Sequence, residues 1–232
     1  MGLIKHKCLV YDEDLLGKYQ VFEDRIDAGL KLAKICKEFC ADANYVFAIP
    51  RGGIPIAVQI VKELNVNIDL VNCRKLLIPW NPEAGFGAID PDGNVYVDEV
   101  FASYLGLTDE EIRNAIKAQL DEIKSRERIL RRNRPYPNLR GSNIIVVDDG
   151  IAAGYTMRAA IGFLKRKGAE KVYVAVPTCH LESALKFCKE VNLVICLNPR
   201  SGPFYAVADA YINWRDLTDE DVIEELKKVR YY

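Results

Sequence analysis

Thirteen consecutive residues constrain this chain more than any other stretch: Ile144-Ile145-Val146-Val147-Asp148-Asp149-Gly150-Ile151-Ala152-Ala153-Gly154-Tyr155-Thr156. Four apolar residues read as a buried strand. Two adjacent carboxylates stand where that strand stops, followed by a loop of small residues and a hydroxyl, Thr156, opening a helix. Small residues let backbone N–H groups wrap a phosphate, and a helix N-terminus adds partial positive charge. Adjacent carboxylates repel each other and must be solvated or paired, so a strand end suits them if they bind a diol or face a hydrated cation. In open parallel sheets, ligands sit at the carboxyl ends of the strands. The plainer alternative is an acidic strand-to-helix turn with a capping role.

The rest of the chain alternates around this stretch. Glu23 to Cys40 has helical spacing, Tyr45–Ile49 is a short apolar strand running into Pro50-Arg51-Gly52-Gly53, Pro55–Leu64 is helical, and Asp69–Cys73 is a second strand. From Leu76 to Arg140 the pattern degrades into a proline- and glycine-rich loop followed by one charged helix. Then come strand Ile144–Val147, helix Met157–Lys167, strand Lys171–Pro177, helix Glu182–Glu190 and strand Leu193–Leu197. Thr108-Asp109-Glu110-Glu111 is a capping box, and Thr218-Asp219-Glu220-Asp221 is a near copy. They open helices Asp109–Arg131 and Asp219–Val229. Strands alternating with helices over short connections imply an α/β domain, a central parallel sheet flanked by helices.

Composition excludes several classes. The balance of 32 basic and 33 acidic side chains in 232 residues argues against a general binder of nucleic acid or anionic membranes. No apolar run is long enough to cross a bilayer, and the N-terminus has no signal-peptide pattern, so a cytoplasmic location is expected. Seven cysteines, scattered singly, read as reduced and mostly buried thiols, and two histidines exclude a His-rich zinc site.

The Ile144–Thr156 stretch resembles the phosphoribosyl pyrophosphate (PRPP) signature of type I phosphoribosyltransferases. That resemblance implies that Asp148 and Asp149 hold the ribose hydroxyls and that Ala152, Ala153, Gly154, Tyr155 and Thr156 bind the 5-phosphate. Two departures stand out. Ala153 replaces a threonine common in the superfamily, and Ala152 replaces the aspartate that hypoxanthine–guanine enzymes carry as a proton acceptor. Pro50-Arg51-Gly52-Gly53 occupies the place of the pyrophosphate loop, where Gly52 and Gly53 let amides approach an anion and Arg51 can donate to it. The resemblance also implies a strained non-proline peptide there, of cis geometry. Arg74-Lys75 stands where the superfamily places a basic residue near the pyrophosphate. A longer likeness takes in Phe22–Gly29, Pro79–Glu83, Gly85–Ala88 and the helix after the signature; it is closest to a family of predicted phosphoribosyltransferases of unassigned acceptor.

From this resemblance follow a hood at 198–232 and a long loop-helix insertion at 76–140, both within one domain spanning 1–232. The loop Pro79–Ala88 would close over PRPP, with Glu83 a candidate acid/base. The basic run Lys124–Arg140 reads as a solvated helix face, a lid over polyphosphate, or an RNA-facing strip. Phe204, Tyr205 and Trp214, with Tyr211 between them, are the aromatic candidates for stacking on an acceptor base. Cys179 and His180 have no partner pattern for nucleophilic catalysis. The implied reaction, part of nucleotide salvage, moves a 5-phosphoribosyl group from PRPP to a nitrogenous base with release of pyrophosphate. Arg51 and Lys75 would act as catalytic cations, and Mg²⁺ would reach Asp148 and Asp149 indirectly, through PRPP or water. The expected partners are PRPP, a small-molecule acceptor and a second copy in a homodimer. The competing class is a non-enzymatic PRPP sensor.

Overall fold

The computed structural model describes residues 2–229 and 231, and within them every side chain but that of Glu83. Its centre is a sheet of β1 (Leu3–His6), β2 (Leu9–Asp12), β3 (Tyr45–Ala48), β4 (Asn67–Leu70), β8 (Asn143–Val147), β9 (Lys171–His180) and β10 (Leu193–Arg200). The spatial order is β1-β2-β10-β9-β8-β3-β4, and only β1 runs antiparallel to its neighbour. Both faces are apolar, as a parallel sheet covered by helices requires. Val46, Ala48, Ile145 and Val147 face the helices α1 (Arg25–Phe39), α2 (Gly53–Leu64) and α7 (Asp219–Lys227). Phe47, Ile144 and Val146 face α5 (Tyr155–Arg166) and α6 (Leu181–Phe187).

The expected helices and core strands are present, with ends displaced by a few residues; both capping boxes form, at Thr108 and Thr218. The N-terminal hairpin of β1 and β2 was not expected. The insertion also differs from the expected loop. Here β5 (Arg74–Ile78), β6 (Asn81–Ile89) and β7 (Val95–Val97) form a three-stranded antiparallel sheet, followed by α3 (Glu99–Tyr104) and α4 (Asp109–Arg131). Leu76, Ile78, Phe86, Ile89, Ala102 and Ile123 give it a small core of its own. Glycines at 85 and 87 and register shifts around Leu77 erase the alternation that would mark these strands in the sequence.

The cysteine reading needs one correction. Cys8 and Cys188 are joined in a disulfide, their Cα atoms 5.4 Å apart across 180 residues of sequence. Spacing along the chain cannot reveal a pair that only the fold brings together. The other five cysteines are buried thiols, as expected.

The basic run that starts within α4 is not a uniform solvated face. Arg131 is buried, and its guanidinium donates to both oxygens of Asp69 at 2.9 Å and to Glu127 at 2.7 Å. The Tyr136 ring lies 3.5 Å from the guanidinium carbon. This network fastens the end of α4 to β4. Asp69→Ala would leave a buried guanidinium short of its main counter-charge, so we expect a loss of about 3–5 kcal/mol. Denaturant unfolding measures it, and a loss below about 1 kcal/mol would mean that Glu127 alone satisfies Arg131.

Candidate functional site

Strand order places the site. From β3 the chain crosses through α2 to β4 on one side, whereas from β8 it crosses through α5 to β9 on the other. The crevice where these connections diverge is the topological switch point of the sheet. Two loops meet there, Pro50–Gly53 after β3 and Asp148–Gly154 after β8.

They meet closely. A Cβ on Gly52 would lie 1.8 Å from Asp149 Oδ2, and one on Gly53 would lie 2.6 Å from the Val147 carbonyl oxygen. Only glycine fits at either place. The Pro50–Arg51 peptide is cis, as the resemblance implied. The second loop is fixed from outside: Ile151 N–H donates to Thr178 O at 3.1 Å, and His180 N–H donates to Ile151 O at 2.7 Å. Ser183 Oγ donates to Ala152 O at 2.6 Å. Gly154 takes a φ of +84° and caps α5. The amides of the first turn of α5 have no intrahelical acceptor, and with Ala152–Met157 they line a cavity of about 410 Å³. Asp149, Lys75, Gly85 and Val207 complete its wall.

Asp149 is the most constrained side chain in the crevice. Arg25 Nε donates to its Oδ2 at 2.9 Å, and Tyr211 Oη donates to its backbone carbonyl at 2.6 Å. Arg25 in turn donates to the carbonyl of Arg215 at 2.9 Å and lies 3.8 Å over the Trp214 ring. Burial raises the pKa of Asp149, and Arg25 opposes that rise. Asp148 accepts from the Asp149 amide at 2.9 Å. Its pKa stands well above the ordinary carboxylate range, first through burial and then through the charge of Asp149.

The structure brings Asp149, Ala152–Thr156 and Lys75 to one cavity, with Gly52 touching Asp149. Arg51 points elsewhere, with Nη1 3.9 Å from Asp219 Oδ1 at the start of α7. Arg74 and Lys75, adjacent on a strand, face opposite ways; Arg74 Nε donates to Gln119 on α4 at 3.1 Å. The three aromatic candidates do not share a surface. Phe204 is 88% exposed. Tyr205 donates to Thr178 Oγ1 at 3.2 Å and sits edge-on to His180. Trp214 lines a second cavity of about 420 Å³ with Arg25, Ile26, Ile212 and Leu217. Glu83, the candidate acid/base, has its side chain outside the described set. Cys179 is buried within β9 and His180 ends that strand.

Sequence reasoning gave no role to Arg25, although it lies within the stretch of longer likeness. A signal was present, since a cation at the first position of a helix opposes the macrodipole and needs another reason to be there. Among the described residues, no group of three or more His, Cys, Asp or Glu side chains gathers to hold a metal ion. The adjacent carboxylates Asp148 and Asp149 are oxygen donors of the kind a hard divalent cation takes.

The crevice has the parts of a site for a phosphorylated sugar: small-residue loops, helix N-terminal amides, an acidic pair and an opposing lysine. The chain belongs to the phosphoribosyl transferase domain family, whose model matches residues 88–195. A Mycobacterium tuberculosis (strain H37Rv) protein named "Putative phosphoribosyl transferase" is 34% identical over 209 residues, 90% of this chain and 47% of that protein. The chain thus spans about half the length of the curated relative it matches. The crystal structure of TT1426 from Thermus thermophilus superposes with a TM-score of 0.70 at 32% identity, covering 88% of this chain and 97% of the other. The amidophosphoribosyltransferase of Mycobacterium leprae is 26% identical over 166 residues, 71% of this chain and 23% of that enzyme. Among the described residues, no helix is long and apolar enough to cross a membrane.

The elevated pKa of Asp148 has a consequence for stability. A carboxyl whose folded pKa exceeds its unfolded value stabilises the fold in acid, and that contribution is lost as pH rises through the folded value. Asp148→Asn keeps the acceptor for the Asp149 amide and removes the charge. At pH 7 it should stabilise the ligand-free protein by about 1–2 kcal/mol, with the gain vanishing near pH 3. Urea unfolding at both pH values tests this, and an equal effect at each would contradict it.

Proposed function

We propose that this chain is a phosphoribosyltransferase that binds PRPP and moves its 5-phosphoribosyl group to a nitrogen of a small acceptor, releasing pyrophosphate. The observation that carries the reading is the single cavity shared by Asp149, the Ala152–Thr156 loop and Lys75. The 5-phosphate would lie against the first-turn amides of α5, where partial positive charge and open donors coincide. The ribose hydroxyls would donate to the acidic pair. Asp149 is already oriented by Arg25, so it can accept without first being ordered. Lys75, across the same cavity, would face the departing pyrophosphate. Arg51 reaches it only by leaving Asp219, which holds it at the outer limit of an ion pair.

A magnesium ion, which the resemblance implies, would ride on the pyrophosphate oxygens and meet Asp148 and Asp149 through the donor or water. When bound, it would neutralise charge on the leaving group. Most of the rate enhancement would then come from positioning and from electrostatic stabilisation of that group. The acceptor, expected from the resemblance to be a nitrogenous base, would enter from the side of the hood. Of the hood residues, Val207 reaches the cavity wall.

Two variants test the donor site. Asp149→Asn should weaken PRPP binding by about 1.5–3 kcal/mol, the worth of a hydrogen bond to a charged group; calorimetric titration with unchanged affinity would overturn the assignment. Lys75→Ala separates a transferase from a PRPP sensor. Charge builds on pyrophosphate only as the C1–oxygen bond breaks, so a transferase loses turnover more than affinity. At saturating PRPP, with the best of a panel of bases and amines as acceptor, we expect at least about a tenfold fall in pyrophosphate release, about 1.4 kcal/mol of barrier. Weaker binding with wild-type turnover at saturation would remove Lys75 from the mechanism. No release with any acceptor by the unmodified protein would favour the sensor.

A further inference from the structure

Of the seven cysteines, two are bonded to each other and five are not. The five thiols are buried, although some of them stand side by side. Burial and then Cys179 push the Cys196 thiol up, and burial and then Cys40 do the same to Cys36. The bonded pair is placed differently. Cys8 and Cys188 are each half-buried, so a thiol exchange partner can reach them from solvent as it cannot reach the others. A single bond in a chain that otherwise keeps its thiols is the pattern of a redox-responsive pair rather than of a disulfide framework.

The position of the bond matters because of what α6 carries. Ser183 holds the Ala152 carbonyl, and the Phe187 ring presses on Gly154, where a Cβ would lie 2.8 Å from it. Gly154 is the left-handed residue from which α5 starts. So α6 braces the loop Ala152–Thr156 from outside. A helix of seven residues has little stability of its own. Its last turn is fastened by Cys188, its C-cap, to Cys8, whose carbonyl accepts from the Val194 N–H of β10 at 2.8 Å. The polar ties nearby, Arg158 to Glu190 at 2.9 Å and Lys165 to the Glu190 carbonyl, lie at the surface, where such contacts contribute little.

We propose that Cys8–Cys188 is a reversible redox site that takes a dithiol reductant, and that its state sets how firmly α6 holds the loop Ala152–Thr156. Oxidised, the bond keeps Ser183 and Phe187 against the loop. Reduced, the end of α6 is released and the loop relaxes. On the phosphate reading of this loop given above, which this consequence rests on, the oxidised protein binds phosphate more tightly. The exchange balances as follows. A thiolate of the reductant attacks one protein sulfur, the Cys8–Cys188 bond breaks, and the displaced sulfur leaves as a thiolate that takes up a proton. The reductant's second thiolate then displaces the other protein sulfur, which is protonated in turn, and closes the reductant's own disulfide. Two electrons and two protons pass to the protein.

The test compares the protein before reduction with dithiothreitol, after it, and after reoxidation. Alkylation and mass spectrometry should find Cys8 and Cys188 reduced in the folded protein. Hydrogen exchange at the Ile151 and His180 amides, which bond the loop to β9, should quicken at least about tenfold on reduction. Calorimetric titration should show ribose 5-phosphate binding weakened at least about fivefold, with both effects reversed on reoxidation. Cys8→Ser should keep the reduced values with or without dithiothreitol; if it does not fold, the wild-type comparison decides alone. A bond that withstands dithiothreitol in the folded protein, or a reduced protein that exchanges and binds as the oxidised one does, would make the pair a plain staple and overturn the proposal. Unfolding of the whole chain on reduction would overturn it too, since all amides would then exchange alike. If neither form binds ribose 5-phosphate or PRPP while exchange still quickens on reduction, the donor reading fails and the redox site stands.

Discussion

The register of β3 on β8 is the constraint from which the site follows. Tyr45 pairs with Ile144 and Ala48 with Val147, so both strands end at the same level and their loops emerge side by side. Apolar side chains on both faces set that register, because a slip of one residue would turn Val46 and Ile145 to the wrong helices. With the strands so aligned, Gly52 and Gly53 lie against Asp149 and Val147 at distances that admit no side chain. The acidic pair and the glycine loop are therefore one construction. Neither could keep its geometry if the other strand moved.

That construction concentrates charge where the fold gains least from it. Burial disfavours the ionised forms of Asp148 and Asp149, and a few elements away it disfavours the charged forms of Arg74 and Arg126. Like charge acts within each cluster, Asp149 on Asp148 and Arg74 with Arg51 on Arg126. Arg25 moderates the first cluster by pairing with Asp149. Asp219 moderates the second from the start of α7. Such a trade of stability for a charged crevice is the ordinary relation between a fold and a functional site.

Much of this was legible in the sequence because local and global signals agree. Ile144–Val147 is apolar, ends in two aspartates and runs into small residues, and each feature is satisfied in the fold. The two capping boxes fixed helix starts because their hydrogen bonds are local. What stayed hidden depends on residues far apart. The Cys8–Cys188 bond, the Arg25–Asp149 pair and the Arg131–Asp69 pair span 180, 124 and 62 residues. The hairpin of β1 and β2 was missed because each strand is only two aliphatic residues followed by polar ones, Leu3-Ile4-Lys5-His6 and Leu9-Val10-Tyr11-Asp12. The aromatic candidates of the hood were separated by the fold for a similar reason: Trp214 follows the chain toward α1 and Arg25, while Phe204 stays at the surface.

The insertion shows why composition misleads when glycine and proline serve a strand. Read as a flexible loop, Pro79–Ala88 would close over PRPP. Folded, it forms strands of a three-stranded sheet, and the residues that follow it bind α5: Asp98 accepts from Tyr155 Oη at 3.0 Å, Arg166 pairs with Asp90, and Arg166 donates to Tyr96 Oη at 2.6 Å. Successive residues of β5 point to opposite sides, so Lys75 enters the cavity of the phosphate loop while Arg74 turns to α4 and the arginines beyond. One short strand thus sends its two cations to different surroundings. A one-residue shift in its pairing with β6 would exchange them, sending the lysine to the helix and the arginine to the cavity. The bulges around Leu77 lie on the far side of this pair of residues, and the regular pairs Arg74–Ile89 and Lys75–Ala88 hold it in place.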